Sequence, residues 1–397
     1  MRPGPSEGRA LALLGIVLLS LGMRSATSSF TPVFRLVDAE LGLGAVVLGL
    51  VGALPPFAFA LAGALTPRLA RRLGAERALV VAIAAIVAGQ VVRALAEEST
   101  GIVLSTAVTM IGIGIGNVLL PSLAKRYFAG RVGVITAVYT TLFAIGGTSP
   151  AFLAVPISEG IGWRPTLAIW ALTVALATIP WIALAREARR VDLAGVPPLP
   201  DAPLRLARTP LAWALAVVLW ASAMVGYGGT AWLPLLLVDR AGLSDAAAGA
   251  HLGILLAVGI PASLLVPLLA ARPRPAAALV ALSGVSATIG WVGLLVAPAA
   301  VPALWAALIG GGALTFPLVL VQVAVRASTP AVAVRLSAFV QTFAYIATGV
   351  VVLALGVLHE MTHDWLVPIV VLLAVAVLPL AAVPFVARPG RVDDPRG

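Results

Sequence analysis

Twelve long apolar stretches run through this 397-residue chain, and they determine the solvent in which it can fold. Hydrophobic residues make up 61% of the sequence and charged residues only 11%, whereas soluble domains carry about 25% charged residues. A helix needs about 20 apolar residues to cross a hydrocarbon core of about 30 Å, so the chain has room for twelve crossings with short connections. We therefore predict an all-α integral membrane protein, with little sequence left for a soluble catalytic domain.

The predicted spans, numbered in chain order, are 10–33, 45–66, 78–96, 101–122, 132–157, 165–185, 211–236, 246–271, 276–297, 301–325, 335–358 and 365–386. The first resembles a signal peptide because it follows Arg2 and Arg9, but it continues through Arg24 without a small-residue cleavage site. We interpret it as a retained helix. The chain contains no cysteine, which excludes thiol chemistry.

Charge alternates from one connection to the next. The connections on one side, which include both termini, hold 21 basic and 7 acidic residues, and those on the other side hold four basic and nine acidic residues. The four are Arg35, Arg93, Arg164 and Arg240. The positive-inside rule then predicts a multi-pass protein of the cell (inner or plasma) membrane with both termini in the cytoplasm. We interpret the net charge of +10 as topology and contact with the lipid bilayer, not as nucleic-acid binding. We expect a monomer.

The second half of the chain repeats the first at an offset of about 200 residues. Leu-Val-Asp at 36–38 recurs at 237–239, and Gly114, Gly116 and Pro121 correspond to Gly310, Gly312 and Pro317. Six helices per half leave both halves in the same orientation, so we predict two pseudo-symmetric six-helix bundles with a site near the midplane. The predicted organisation is an N-terminal bundle (1–185), a charged, proline-rich cytoplasmic linker (186–210), and a C-terminal bundle with a short cytoplasmic tail (211–397).

Arg24 is the one full charge that we place within the predicted hydrocarbon, about two thirds of the way along the first span. Arginine near a helix centre costs about 2.5 to 3.5 kcal/mol on insertion scales, so it should face protein, a cavity or a ligand. Ser20, Thr27, Ser28 and Thr31 lie at helical spacing from Arg24 and form one polar stripe, which should line an aqueous cavity. The guanidinium suits a planar anion such as a carboxylate or another small oxyanion. The alternative is that Arg24 extends to the headgroups or binds helix-end carbonyls.

Other spans supply polar groups at helical spacing that could line a substrate pocket. Thr136, Tyr139 and Thr140 share a face of span 5, and Gln341, Tyr345 and Thr348 share a face of span 11. Further candidates are Asn117, Tyr227, Trp232 and Gln322. For each of these residues an interhelical hydrogen bond is an equally good interpretation.

Two motif matches carry little weight. His359-Glu360-Met361-Thr362-His363 satisfies H-E-x-x-H, the pattern of zinc proteases. It falls in a predicted external connector without a third ligand, so we interpret it as a solvated turn and expect no metal and no cofactor. Gly112-x-Gly114-x-Gly116 suggests a phosphate loop, but it lies inside a span, where close helix packing or a flexible point explains it better.

Several blocks resemble the major facilitator superfamily, and within it the cyanate permease and 2-nitroimidazole transporter family. The blocks are 21–32 around Arg24, 67–77, 116–128, 139–141, 162–164, 232–234 and 339–341. The resemblance covers nearly the whole chain and implies a twelve-helix rocker-switch carrier of small, compact, often anionic or planar substrates. It matches Arg24, Asn117, Tyr139 and Gln341 to polar positions of that family.

The loop between spans 2 and 3 departs from the superfamily, which typically has an aspartate where this chain has Pro67. A carboxylate-centred gating latch is therefore doubtful. The gating residues that we predict are basic or turn-forming: Arg68, Arg71, Arg72 and Gly74.

We predict a secondary transporter, not an enzyme, that moves a small anion or weak acid by alternating access. The predicted substrate-binding residues are Arg24, Ser28, Asn117, Tyr139, Thr140, Tyr227, Gln341 and Tyr345. Efflux of a neutral planar compound, stacked on aromatic rings, is the alternative within transport. A membrane metalloprotease using His359 and His363, and a receptor that binds without transporting, are the alternatives from other classes.

Overall fold

The computed structural model describes residues 5–128, 131–187, 206–270, 272–328 and 330–393, and these residues form helices joined by short turns. The chain divides into two compact units, Met1–Pro197 and Pro198–Gly397. Most of the predicted linker, at 188–205, lies outside the described residues. Within the described residues, twelve helical stretches are long and apolar enough to cross a membrane, which confirms the predicted number.

The N-terminal unit contains seven helices in its described residues. They are α1 (Pro5–Ser28), α2 (Phe34–Leu41), α3 (Gly44–Leu73), α4 (Ala75–Ala94), α5 (Ser99–Tyr127), α6 (Val132–Ile161) and α7 (Trp163–Glu187). The first predicted span is interrupted, because α1 ends at Ser28 and a 3-10 turn, Thr31–Val33, precedes α2. Pro32 in this turn lacks an N–H and disfavours helical geometry at the residue before it.

The described part of the C-terminal unit contains nine helices, several of them halves of one span. They are α8 (Pro210–Ala223), α9 (Gly229–Ala241), α10 (Asp245–Ala257), α11 (Gly259–Ala270), α12 (Pro273–Val296), α13 (Pro302–Gly310), α14 (Thr315–Val325), α15 (Pro330–Thr362) and α16 (Leu366–Ala387). A π-helical segment, Met224–Gly228, joins α8 to α9, and a 3-10 turn, Gly311–Leu314, joins α13 to α14. Both interruptions are rich in glycine, which lowers the cost of leaving α-helical geometry.

Glycines let the helices of the N-terminal unit approach one another closely. A Cβ added to Gly112 would lie 2.7 Å from the carbonyl oxygen of Ala82 on α4, and one added to Gly114 would lie 2.5 Å from Cβ of Ala62 on α3. A Cβ on Gly116 would lie 3.0 Å from the Met23 side chain on α1. The three glycines of α5 therefore contact three different helices, which confirms the packing interpretation of this motif.

Candidate functional site

Arg24 lies on α1 and is held there by a close contact with α6. A Cβ added to Gly146 would lie 2.0 Å from the carbonyl oxygen of Leu21, and one added to Gly147 would lie 3.5 Å from Cβ of Arg24. Gly146 therefore allows the close approach of α6 to the Leu21 backbone, and Gly147 lies in ordinary contact distance of the base of the Arg24 side chain. The Arg24 side chain is exposed, and its guanidinium makes no hydrogen bond or ion pair within the described residues.

The rest of the predicted polar stripe differs from expectation, because most of it is packed. Ser20, Ser28 and Thr31 are buried. The Ser28 hydroxyl donates to the carbonyl oxygen of Arg24 at 3.1 Å, and the Thr27 hydroxyl lies 3.7 Å from the sulfur of Met110 on α5. A helical serine can satisfy its hydroxyl on the preceding turn, so a polar stripe can pack without facing water. Arg24 is the exposed member of the stripe.

Asn117 lies close to the level of Arg24. Met23 of α1 contacts Gly116 of α5, so the next residue on each helix, Arg24 and Asn117, lies beside the same helix contact. Asn117 is half-buried. The structure therefore brings these two predicted site residues into one region of the N-terminal unit.

Tyr139 and Thr140 lie on α6, which packs against α1, but at a different level from Arg24. Tyr139 precedes Gly147 by eight residues, which corresponds to about 12 Å along the helix. The Tyr139 ring is buried and packs edge-on against Phe143, with ring centroids 5.6 Å apart. Thr140 is half-buried. These two residues extend the polar region along α6 rather than surround Arg24.

Tyr227 and Tyr345 meet in the C-terminal unit. Tyr227 lies in the π-helical segment, and its ring centroid is 6.3 Å from that of Tyr345 on α15, with the planes at 78°. π-Helical turns are frequent at functional sites because the wider turn redirects a side chain. Gln341, one helical turn before Tyr345, donates to the Ser337 hydroxyl at 2.6 Å. Three predicted residues of this unit thus lie together.

Two other polar candidates form interhelical hydrogen bonds. The Trp232 indole donates to the carbonyl oxygen of Val352 at 3.2 Å, and the Gln322 amide donates to that of Ala270 at 2.5 Å. Both side chains are fully buried. Gln322 also accepts a hydrogen bond from Arg326 at 2.8 Å.

Arg326 connects the end of α14 to the C-terminal end of the described chain. Its guanidinium donates to the backbone carbonyl oxygens of Val386, Arg388 and Gly390. Burial lowers the pKa of this guanidinium.

The predicted gating residues are largely helical, because α3 continues beyond residue 66, the predicted end of span 2. Helix α3 continues to Leu73 and includes Arg68, Arg71 and Arg72, because arginine is a good helix former. The side chains of Arg68 and Arg72 are exposed. The turn itself is made by Gly74, whose φ of 88° lies in the region that favours glycine.

A polar cluster around one carboxylate, that of Glu76, lies immediately after this turn, and the sequence analysis did not predict it. Glu76 is buried, and its Oε1 accepts from Arg126 at 2.7 Å and from the Tyr127 hydroxyl at 3.0 Å. The neighbouring Arg77 donates to the carbonyl oxygen of Ala185 at 3.2 Å. These contacts tie the start of α4 to the end of α5. The signal in the sequence was a single acidic residue, Glu76, within an otherwise basic segment.

Arg93 is a charged residue whose complete burial the sequence did not predict. We counted it among the outer-side residues, but it lies in the last turn of α4 with none of its surface exposed. Its Nη1 donates to the carbonyl oxygen of Ala26 on α1 at 2.8 Å. The position of Arg93 inside the predicted span 78–96 was the signal that could have found it.

His359 lies within α15, which continues to Thr362, whereas His363 lies in the exposed connector that follows. The His359 ring stacks on Trp365, with centroids 4.1 Å apart, and His363 ends the helix with a φ of 50°. Throughout the described ranges, histidine, cysteine, aspartate and glutamate do not form a group of three that could hold a metal ion. The H-E-x-x-H sequence therefore occupies the end of α15, where His359 stacks on an aromatic ring.

A crevice in the C-terminal unit is lined almost entirely by apolar side chains of α8, the π-helical segment, α12 and α16. Its hydroxyl group, that of Ser283, already donates to the carbonyl oxygen of Gly312 at 2.9 Å. None of the predicted site residues lines this crevice.

The comparisons with known proteins agree with this architecture. The Major Facilitator Superfamily pattern matches residues 13–352. The 2-nitroimidazole transporter of Escherichia coli K12 is 30% identical over 392 residues, covering 98% of each chain. The cyanate transport protein CynX of the same organism is 30% identical over 363 residues, covering 89% of this chain and 91% of CynX.

One solved structure extends the comparison to three dimensions. It is a bacterial homolog of the human lysosomal transporter Spinster, with a TM-score of 0.71 and 19% identity, covering 96% of this chain and 95% of the other. This likeness shows the fold. The twelve helical stretches and the family match together describe a multi-pass membrane transporter, not an enzyme.

Proposed function

We propose that this chain, which belongs to the Major Facilitator Superfamily, is a secondary transporter that moves a small anion or weak acid by alternating access. The substrate would be cyanate-, nitrate- or carboxylate-like. The observation that carries the proposal is Arg24, an exposed guanidinium without a hydrogen bond in the described residues, located well inside the first span.

The cost of Arg24 supports a role in binding. Arginine near the centre of a span costs about 2.5 to 3.5 kcal/mol on insertion scales, and such residues usually line a pathway or bind a partner. The close packing of Gly146 on the Leu21 backbone fixes the part of α1 that carries Arg24. A guanidinium with its donors unbonded matches the oxygen geometry of a small planar anion.

The other predicted residues differ in how directly they would contact the substrate. Asn117 is the best second ligand because it lies beside the same helix contact as Arg24. Ser28 acts indirectly, since its hydroxyl is bonded to the Arg24 backbone. Tyr139 and Thr140 would form a wall further along α6. Tyr227, Gln341 and Tyr345 are the candidate ligands within the C-terminal unit. The name of the relative CynX, a cyanate transport protein, also supports a small anion.

Efflux of a neutral planar compound is the second candidate. The relative named as a 2-nitroimidazole transporter favours it. So do the two aromatic pairs at predicted site positions, Tyr139 with Phe143 and Tyr227 with Tyr345, since aromatic faces stack on planar rings. In this case Arg24 would serve a structural purpose.

Energetics limit how an anion could be driven. Moving one negative charge inward against 100 mV costs about 2.3 kcal/mol, so uptake would need a co-transported cation, an exchanged anion or a substrate that enters neutral. Export needs no such coupling.

The charge asymmetry of the connections supports a location in the cell (inner or plasma) membrane with both termini in the cytoplasm. We propose that the carrier acts as a monomer in the lipid bilayer.

Uptake into proteoliposomes tests the proposal. A panel of cyanate, nitrate, small carboxylates and a nitroimidazole is compared between wild type and Arg24→Gln. We expect at least one anion to be carried by wild type and lost in the variant. Arg274→Gln, which removes the same charge from the exposed first turn of α12, is the matched control and should transport normally.

Two results would contradict the proposal of anion transport. In the first, only the nitroimidazole moves, which favours the aromatic alternative. In the second, Arg24→Gln carries the anion as well as wild type, which leaves Arg24 with a structural role.

A further inference from the structure

The end of the described chain folds back onto the C-terminal unit. Residues 388–393, which we call the C-terminal strap, follow α16 and contact the connection between α14 and α15. The Arg326 guanidinium, directly after α14, donates to the carbonyl oxygens of Arg388 at 2.6 Å and Gly390 at 3.0 Å. It also donates to that of Val386, in the last turn of α16, at 2.6 Å. Arg326 is only 3% exposed, so these bonds are shielded from water.

The strap also binds the connection through a backbone donor and a carboxylate. The Val392 N–H donates to the carbonyl oxygen of Arg326 at 3.0 Å. The Asp393 carboxylate accepts hydrogen bonds from the backbone N–H of Ser328, at 3.3 Å, and from the Ser328 hydroxyl. The connection is therefore bonded to the strap at both Arg326 and Ser328.

An apolar side chain relates the strap to α15 as well. Val392 is buried and belongs to an apolar cluster that contains Leu336 and Val340 of α15. Helix α15 begins at Pro330, shortly after the bonded connection, and Val340 directly precedes Gln341. The strap therefore bonds to the connection that leads into α15 and belongs to the same buried cluster as the first three turns of that helix.

The chemistry of arginine makes this arrangement specific. Arginine presents donors on three nitrogen atoms in a rigid planar fork, whereas lysine has a single nitrogen atom. Arg326 uses all three, since Nε donates to Gln322 at 2.8 Å while Nη1 and Nη2 bind the strap and α16. Gln322 in turn donates to the carbonyl oxygen of Ala270 at 2.5 Å, which ties the end of α14 to α11. The partial negative charges at the ends of α14 and α16 favour the cation.

We propose that Arg326 is a positioning residue for substrate binding. Through the strap it sets the position of α15, the helix that carries the candidate ligands Gln341 and Tyr345. This inference rests on the proposed function, because it takes these two side chains as ligands. Arg326 itself does not contact the substrate, since its three nitrogen atoms are bonded within the unit. Loosening the strap lets the first turns of α15 shift, and a small shift of a ligand weakens binding strongly.

Spin-label distances test the position of α15 without any substrate. The chain has no cysteine, so Thr342→Cys on α15 and Leu282→Cys on α12, both at exposed positions, are the only labelled sites. We expect a shifted or broader distribution of label distances in Arg326→Lys and after removal of residues 389–397. Arg388→Gln is the matched control, because it keeps the backbone carbonyl that Arg326 binds, and its distribution should equal that of wild type.

Uptake kinetics test the link to the substrate. For the panel anion that wild type carries, KM should rise about tenfold in Arg326→Lys while kcat stays near the wild-type value. Trp163→Phe, which destabilises the other unit, should keep the wild-type KM and so separates positioning from a general loss of stability. If Arg326→Lys does not fold, Asp393→Asn and Ser328→Ala loosen the same connection, and each should raise KM about twofold or more.

The outcomes separate this inference from the proposed function. Unchanged label distances in Arg326→Lys and in the truncated protein would overturn it, whatever the substrate. A changed distance with an unchanged KM would also overturn it, because α15 would then move without consequence for binding. If wild type carries no compound of the panel, the proposed function fails, and the label distances alone decide for or against the control of α15 by the strap.

Discussion

The Trp163 indole donates a hydrogen bond to Glu40 at 2.7 Å, and the second half of the chain repeats this contact with Trp365 and Asp239 at 3.0 Å. In each half the tryptophan begins the sixth span and the carboxylate lies near the end of the first. The two halves therefore share a contact as well as a sequence pattern. Gly42 and Gly242, with φ of 62° and 66°, end those first spans in the same way.

Replacing Trp163 by phenylalanine should cost about 1 to 3 kcal/mol, because a hydrogen bond to a charged group is lost and the smaller phenyl ring fills less of a buried site. The change is measured as a lower melting temperature of the purified protein. Glu40→Gln is the partner variant. In the double variant the two losses should not fully add, since Glu40→Gln weakens the same contact by removing the charge of its acceptor. Fully additive losses would show that the contact contributes nothing to stability.

Replacing Arg24 by lysine should weaken anion transport about tenfold. Lysine keeps the charge but not the planar pair of donors, so it loses part of a charge-assisted hydrogen-bond set. Initial uptake rates over a range of substrate concentrations measure the effect, which we expect in KM. Equal kinetics for arginine and lysine would mean that only charge matters at this position.

Gly146→Ala should destabilise the N-terminal unit by about 1 to 3 kcal/mol, because the new methyl group would overlap the Leu21 backbone. The displacement of α6 from α1 should also reduce transport, since Arg24 lies on α1 three residues after Leu21. Gly63→Ala is the matched control. Nothing lies within 4 Å of its added Cβ, so it should stabilise helix α3 slightly. The prediction fails if both variants melt at the same temperature.

Glu76→Gln should lower stability by about 1 to 3 kcal/mol, because it leaves Arg126 without its carboxylate and a buried amide in its place. The partial exposure of Arg126 keeps this value below that of a fully buried pair. Thermal unfolding measures the loss, and Glu97→Gln, on an exposed glutamate, is the control. An unchanged melting temperature in Glu76→Gln would show that the contacts of the Glu76 carboxylate do not stabilise the protein.

The sequence by itself determined the number and order of the spans, the duplication, and the presence of an arginine inside the first span. These properties follow from local composition, since a bilayer requires about 20 apolar residues wherever the chain crosses it. Only the tertiary structure decided that Arg24 is exposed while Ser28 is packed, that Arg93 and Glu76 are buried, and that Tyr227 meets Tyr345. These depend on how each helix is rotated against its neighbours, which glycine contacts and helix interruptions set and hydrophobicity alone does not.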